Sequence, residues 1–410
     1  MEYIIISGEN KLYGEVEISG SKNSALPIIA ASLLCKNKIS LANVPDLLDI
    51  NSMLKLIASL GVKIENEKGN LIIDPKKIVS VEAKYNLVSK MRASFLVLGP
   101  LLSRIGKATV SLPGGCAIGT RPVDLHLYAM RMLGSTIDLE DGYVIARAPH
   151  KGLKGNKINF PKISVGATEN AIMAAVLAQG ETLIENSAKE PEIIDLCNFL
   201  SLMGAKIEGI GSNNIQIQGV DDLKGIKYKI IPDRIETCTY VVAAAITESK
   251  LKLTNIKSKD ILNFLGVMKK MGLGFTQETN QLSIFSENKL GPVNIKTEEY
   301  PGFPTDMQAQ LMTLLCMSDG KSIIEENIFE NRFMHVSELN RLGADINISG
   351  NKAIIKGNKK FIGAEVMATD LRASVSLILA GLAAKGKTKV NRIYHLDRGY
   401  ENIVHKLSKC

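Results

Sequence analysis

Apolar and polar positions in this chain follow a period far longer than a helical turn or a strand pleat. A short tag recurs in which Leu or Met precedes Gly and then a β-prone stretch. It appears at Leu60-Gly61-Val62-Lys63-Ile64, Leu133-Gly134-Ser135-Thr136-Ile137, Met203-Gly204-Ala205-Lys206-Ile207, Met271-Gly272-Leu273-Gly274-Phe275 and Leu342-Gly343-Ala344-Asp345-Ile346. Successive tags lie about 70 residues apart. Each predicts a helix C-terminus closed by glycine, with a strand behind it. A second series runs out of phase with the first. Polar residues open it and an apolar, Ala- or Leu-rich helix follows: 25–34, 93–102, 171–178, 235–246, 307–317 and 373–384. Helices apolar all round belong inside a domain. β-hairpin-like stretches follow most of them, as at Gly180-Glu181-Thr182-Leu183-Ile184 and Gly386-Lys387-Thr388-Lys389-Val390.

The repeating unit is therefore a buried helix, a strand, an amphipathic helix ending in Gly, and further strands. Six such units of about 68 residues fill the chain, too long a repeat for a typical solenoid. A sixth tag would fall just past Cys410, so the N-terminal strands, 4–7 and 15–19, are expected to complete the last unit. Two domains of three units follow, 21–229 and 230–410 with 1–20, with crossings near Gly20 and Ile230. Lys22, Arg92, Arg234 and Arg372 sit at or near buried-helix starts. Helix N-termini carry free N–H groups and partial positive charge, so this arrangement predicts an anion-binding cleft between the domains.

Composition narrows the choice of partner. Lys and Arg number 50 against 42 Asp and Glu, a net charge of +8. The basic residues form no dense block, aromatics are 5% and Trp is absent, so small anions fit better than nucleic acid. No apolar run reaches membrane-span length, and the N-terminus is too short and acidic for a signal peptide. The six cysteines form no CxxC pair and the five histidines show no zinc-type spacing. A cytoplasmic, reduced protein with no metal and no cofactor is expected, acting as a monomer or weak homo-oligomer without nucleic-acid or membrane partners.

One stretch carries candidate chemistry. In Leu112-Pro113-Gly114-Gly115-Cys116-Ala117-Ile118-Gly119-Thr120-Arg121-Pro122-Val123-Asp124 two prolines bracket a glycine-rich loop, which excludes regular helix and central strand. It presents a thiol with a guanidinium five residues on, the setting in which cysteine becomes reactive. Cysteine is more commonly a buried structural residue.

That loop is one of several motifs by which the chain resembles the UDP-N-acetylglucosamine 1-carboxyvinyltransferases over essentially its whole length. The others are Ser19-Gly20-Ser21-Lys22-Asn23-Ser24-Ala25-Leu26-Pro27, Ser164-Val165-Gly166-Ala167-Thr168, Asp233-Arg234-Ile235-Glu236-Thr237 and Tyr300-Pro301-Gly302-Phe303-Pro304-Thr305-Asp306-Met307-Gln308. Asn331-Arg332-Phe333-Met334-His335, Asp370-Leu371-Arg372-Ala373-Ser374 and Asp397-Arg398-Gly399-Tyr400-Glu401 complete the set, in the family's order. Cys238 departs from it, standing where glycine is expected, and reads as a packed thiol. The early end at Lys409-Cys410 is a second departure.

The resemblance implies an inside-out α/β fold: two domains, each of three βαβαββ-type units, with the N-terminal strand returning to the far domain. It implies transfer of an enolpyruvyl group from phosphoenolpyruvate to the 3-hydroxyl of UDP-N-acetylglucosamine, by addition and then elimination of phosphate, the first committed step of peptidoglycan synthesis. Cys116 matches the proton donor, which also forms a covalent phosphoenolpyruvate adduct. Asp306 matches the carboxylate that takes the sugar hydroxyl's proton; its structural alternative is a helix N-cap. Lys22, Arg121 and Arg398 match cationic contacts to phosphoenolpyruvate. Asn23 and Arg92 match contacts to the nucleotide-sugar. Arg332 and Arg372 match further anion contacts, with Arg234 a weaker candidate. Uridine and diphosphate recognition falls on Arg121, Pro122, Val123, Asp124 and Leu125 with Lys162, Ile163, Ser164, Val165 and Gly166, while Ile328 lines the sugar pocket. His126 is expected at the surface, the alternative being a residue that supports the binding residues from behind. Closure of the Cys116 loop after nucleotide-sugar binding is implied too. The rivals are a 3-phosphoshikimate 1-carboxyvinyltransferase, against which the loop cysteine argues, and a non-catalytic nucleotide-sugar-binding paralogue.

Overall fold

The computed structural model describes residues 2–67, 70–113, 122–286 and 289–410. The described chain divides into two compact units with boundaries at Ser19/Gly20 and Ile231/Pro232. The first unit comprises the described residues between 20 and 231. The second joins 2–19 to 232–410. Each has its own apolar core.

The apolar series forms the centre of each unit. In the first unit the central helices are α1 (Lys22–Ala31), α2 (Leu98–Ile105) and α3 (Val165–Ala175). In the second they are α4 (Arg234–Ile246), α5 (Gln308–Met317) and α6 (Leu371–Ala383). All but one or two residues of α4, α5 and α6 are buried, as all-round apolar helices require, and the three pack pairwise. The starts differ from the predicted ones: α1 begins three residues before position 25 and α3 six before position 171, and two more helices follow a tighter turn. A 3-10 segment, Arg92–Val97, precedes α2, and another, Thr305–Met307, precedes α5. Arg92 therefore sits on a tighter turn ahead of its helix.

Each glycine tag closes an outer helix. The helices Leu48–Ser59, Asp124–Met132, Pro191–Leu202, Leu262–Met271 and Val336–Arg341 lead into Gly61, Gly134, Gly204, Gly272 and Gly343. All five glycines have φ between +91° and +111°, the left-handed region where a Cβ is disfavoured.

Among the described residues, five four-stranded sheets and one three-stranded sheet cover the central helices. Segments that read as hairpin-like after the buried helices are single strands placed centrally in their sheets, Glu181–Glu185 in a four-stranded sheet and Lys387–Asn391 in the three-stranded one. Glu181–Glu185, for example, runs antiparallel to Asn214–Gln218 on one side and parallel to Lys157–Asn159 on the other. The parallel edge strand always comes from another repeat. Glu82–Ala83 is passed to Lys107–Ser111, and Lys227–Lys229 returns to Ile39–Ala42, closing the ring of three sheets.

The second unit closes differently from expectation. Strand β1 (Tyr3–Ser7) pairs antiparallel with Lys387–Asn391 and so completes the last repeat. Strand β2 (Tyr13–Glu17) does not join it. It runs parallel to Lys250–Thr254, in the sheet that follows α4. That is the edge-strand position, which each repeat fills for its neighbour. The two N-terminal strands are thus shared between two repeats.

Candidate active site

In the first unit, Lys22 is the first residue of α1, whose N-cap Ser21 accepts from the Ser24 N–H. Its ammonium lies 3.3 Å from the Asp49 carboxylate on the outer helix, with side-chain exposures of 11% and 6%. Asn23 follows, half-buried. Arg92 Nη2 donates to the Pro122 carbonyl at 2.9 Å, which brings Arg92 to the 122–125 segment. Val123 and Leu125 are buried beside Asp124 at a helix start, and Pro122 is exposed. Ser164 caps α3 by accepting from the Ala167 N–H, with Val165 and Gly166 in the first turn. Lys162 is exposed and Ile163 half-buried. Cys116 and Arg121 lie outside the described residues.

His126 is not a surface residue. It is 8% exposed and its ring stands edge-on to Phe95, with centroids 5.3 Å apart. Asn170 Oδ1 accepts from the Gly99 N–H at 2.8 Å, which turns its amide nitrogen toward His126 Nδ1 at 2.9 Å. His126 Nδ1 then accepts, leaving the ring proton on Nε2. A Cβ at Gly166 would stand only 3.1 Å from His126 Cε1, so glycine lets the ring lie against the start of α3. His126 thereby joins the 122–126 segment to 164–166.

In the second unit the chemistry converges on Asp306. The carboxylate does not cap a helix: neither the 3-10 turn Thr305–Met307 nor α5 has a side-chain cap. Arg332 Nη2 reaches its Oδ1 at 2.7 Å and Arg372 Nη2 its Oδ2 at 2.8 Å. The guanidinium side chains are 5% and 8% exposed, that of Asp306 28%. Burial alone would push this carboxyl up. The Arg372 and Arg332 charges and their hydrogen bonds override it and hold the carboxyl well below the usual carboxylate range. Asp306 is therefore ionised at neutral pH.

The elements carrying these side chains are tied together. Glu326, 4% exposed, accepts from the Thr305 and Thr297 hydroxyls and from the Ile328 and Phe329 N–H groups, at 2.8–3.2 Å. It thus brings Ile328 to the turn that carries Asp306. His335, 2% exposed, sits three residues beyond Arg332 and hydrogen-bonds that residue's backbone. Burial and the Arg332 charge lower its pKa to about 4 against the opposing effect of Asp370, so it is neutral. Arg234 opens α4 with its guanidinium 5.8 Å from the Tyr300 ring centroid. Arg398 ends the 3-10 segment Ile393–Arg398 and is half-buried.

The helix starts depart from a uniform anion site. Asp233 caps α4 and Asp370 caps α6, each accepting from two backbone N–H groups. A carboxylate cap satisfies those donors and offsets the positive end of the dipole. These two helix ends are occupied by the chain's own anions.

The five described cysteines are free thiols. Burial raises each of their pKa values, those of Cys197 and Cys316 to about 12. Cys238 is 1% exposed within α4, the packed thiol expected there. No group of metal-ligating side chains occurs among the described residues.

Comparison with known proteins places this arrangement. The family model described as EPSP synthase (3-phosphoshikimate 1-carboxyvinyltransferase) matches residues 6–407. A UDP-N-acetylglucosamine 1-carboxyvinyltransferase of Pelagibacter ubique is 57% identical over 409 residues, covering 100% of this chain and 98% of that protein. The chain belongs to the UDP-N-acetylglucosamine 1-carboxyvinyltransferase family. A second such carboxyvinyltransferase, from Sulfurovum sp., is 54% identical over 411 residues, covering 100% of this chain and 97% of its own length. The fold is that of the enolpyruvyl transferases. The crystal structure of the enolpyruvyl transferase NikO from Streptomyces tendae superposes with a TM-score of 0.88 at 24% identity, covering 99% of this chain and 97% of that one. An EPSP synthase from Acinetobacter baumannii gives 0.77 at 18%, with the same coverage.

Sequence reasoning missed Glu326, Asp49, Asn170 and the part played by Tyr400, whose hydroxyl accepts from Arg372 Nη1 at 3.1 Å. Glu326 and Asp49 fall in no motif. Tyr400 falls in one, but a buried phenol carries no spacing signal of its own.

Proposed function

We propose that this protein transfers the enolpyruvyl group of phosphoenolpyruvate to the 3-hydroxyl of UDP-N-acetylglucosamine and releases phosphate. The observation that supports the reading best is the ionised Asp306 carboxylate held between Arg332 and Arg372, in a chain more than half identical to carboxyvinyltransferases of that specificity. Transfer to a hydroxyl needs a proton acceptor for that hydroxyl, a donor for C3 of the enol phosphate, and cations for a phosphate and a carboxylate.

In this reading Asp306 accepts the sugar hydroxyl's proton. Its two arginines keep it charged, and they also weaken it as a base. A substrate oxygen that draws one guanidinium away would raise its basicity where it is needed. Cys116 donates the proton to C3, a role assigned from the match of its loop to the family pattern, and the same thiol carries the covalent phosphoenolpyruvate adduct. Lys22, Arg121 and Arg398 hold the phosphoenolpyruvate anion, with Asn23, Arg92 and Ile328 on the nucleotide-sugar. The 122–125 segment and 162–166 form the uridine and diphosphate contact, consistent with their connection through His126 and Gly166. The pathway is peptidoglycan synthesis in the cytoplasm; no described helix is long and apolar enough to cross a membrane.

A phosphate-release assay tests the reading. Purified protein with phosphoenolpyruvate should release phosphate when UDP-N-acetylglucosamine is added and not when shikimate 3-phosphate replaces it. Turnover with shikimate 3-phosphate alone would move the chain to the other acceptor. Silence with both would make it a binding protein.

A further inference from the structure

Asp306 is gripped from the front by two guanidiniums, and one of these is itself held from behind. Arg372 turns Nη2 to Asp306 and Nη1 to the Tyr400 hydroxyl, with its Cζ 5.6 Å from the Tyr400 ring centroid. Gln310 presents its amide nitrogen to the same phenol oxygen at 3.3 Å. Thr239 Oγ1 lies 2.9 Å from it. A guanidinium and an amide NH2 only donate, so together they occupy both lone pairs of the phenol. Its proton then goes to Thr239. Thr239 gives its own proton to the Ile235 carbonyl at 2.8 Å, one turn back along α4. The result is a one-way chain: Gln310 and Arg372 to Tyr400, Tyr400 to Thr239, Thr239 to the backbone of α4.

Every member is buried. Tyr400 is 1% exposed, Thr239 2%, Gln310 0% and Arg372 6%. The chain spans α4, α5, α6 and the segment after Arg398. Burial raises the phenol's pKa although Arg372 and Thr239 act against it, so the ring stays neutral and keeps the proton that Thr239 receives. A guanidinium bound only to Asp306 could swing about that contact. Bound to Tyr400 as well, its plane is fixed.

We propose that Tyr400 is the positioning residue of this site: a neutral phenol, braced on Thr239, that fixes the Arg372 guanidinium and through it holds Asp306 ionised and aimed at the acceptor hydroxyl. The catalytic part of this statement rests on the enolpyruvyl-transfer reading above. The positional part does not.

The test uses the full chain with its aspartates labelled at the carboxyl carbon, the Asp306 signal being assigned by its loss in Asp306→Asn. In the wild type this carboxyl titrates well below the ordinary aspartate range. In Tyr400→Phe it should titrate higher. The same variant should lose kcat by about 10-fold or more with KM for UDP-N-acetylglucosamine within about 2-fold. Its kcat should also fall away at a higher pH on the acid side, since activity is lost as the carboxylate protonates. Should Tyr400→Phe fail to fold, Thr239→Val decides: it should show the same two changes in smaller measure, and Thr239→Ser should restore both. A folded Tyr400→Phe, or a Thr239→Val, with wild-type titration and wild-type kcat overturns the proposal. Shifted titration in a protein that releases no phosphate even as wild type would sustain the positional role and remove the functional reading instead.

Discussion

Replacing Asp306 with Asn should destabilise the second unit as well as stop the reaction, and the two effects have different origins. In the wild type one carboxylate faces two guanidiniums whose side chains are 5% and 8% exposed. Asn keeps the shape but removes the charge, leaving two nearly dehydrated cations to share one amide oxygen. A charge-assisted hydrogen bond contributes roughly 1.5–3 kcal/mol, and removing one partner of a buried ion pair costs about 3–5 kcal/mol. Asp306 itself is 28% exposed, so the lower end applies, about 3 kcal/mol. For a unit of this size that is a fall on the order of 10 °C in its transition. Calorimetry is the assay of choice, because two units with separate cores need not melt together and the chain has no Trp for fluorescence. Activity should fall between about 100- and 10,000-fold, the range for loss of a positioned base. An unchanged or raised transition would refute the reasoning, since it would mean the arginines do not depend on this carboxylate.

Other consequences follow from the same geometry. Burial raises the thiol pKa of all five described cysteines, so an epoxide phosphonate of the fosfomycin type should modify Cys116 alone. Peptide mapping that finds the adduct elsewhere would contradict the assignment, as would full turnover by Cys116→Ala. His335 titrates near 4 in the folded protein against 6.5 as its ordinary value, so the unfolded chain takes up its proton first as pH falls. The stability this contributes is complete above pH 6.5 and disappears as pH drops toward 4, a change of about 3 kcal/mol; urea unfolding of His335→Gln should show a shallower acid loss over that window. Glu326→Ala leaves two hydroxyls and two backbone N–H groups without their acceptor; we expect a loss of about 3 kcal/mol and a raised KM for the nucleotide-sugar, with Glu326→Gln intermediate in both.

How much of this was legible beforehand depends on the range of the interaction involved. The glycine tags were readable because a left-handed residue closing a helix is a local requirement, and all five glycines meet it. The central helices were readable because burial on every side leaves an unbroken apolar run. Their starts were less so: a 3-10 turn ahead of α2 and α5 uses the same residue types as a first helical turn. The partner of β2 was misread because its pairing joins positions 13 and 250, and nothing in either strand names the other. His126 looked like a surface residue because its neighbours in sequence do not include Asn170 or Gly166, which enclose it. Asp306 was readable as a functional carboxylate, but its grip by residues 26 and 66 positions away was not. Tyr400 acts only through such distant contacts, and Glu326 joins its own local turn to Thr297 and Thr305 more than 20 positions away.

The account rests on addition of the acceptor hydroxyl to C2 of phosphoenolpyruvate, an enol phosphate, while C3 takes up a proton. Running the purified protein with phosphoenolpyruvate and UDP-N-acetylglucosamine in deuterated water, and reading the product by mass spectrometry alongside released phosphate, tests this directly. The account predicts a UDP-sugar that carries the enolpyruvyl group with deuterium on its vinyl carbon, in step with equimolar phosphate. An unlabelled enolpyruvyl product, or an unchanged UDP-sugar, would contradict it.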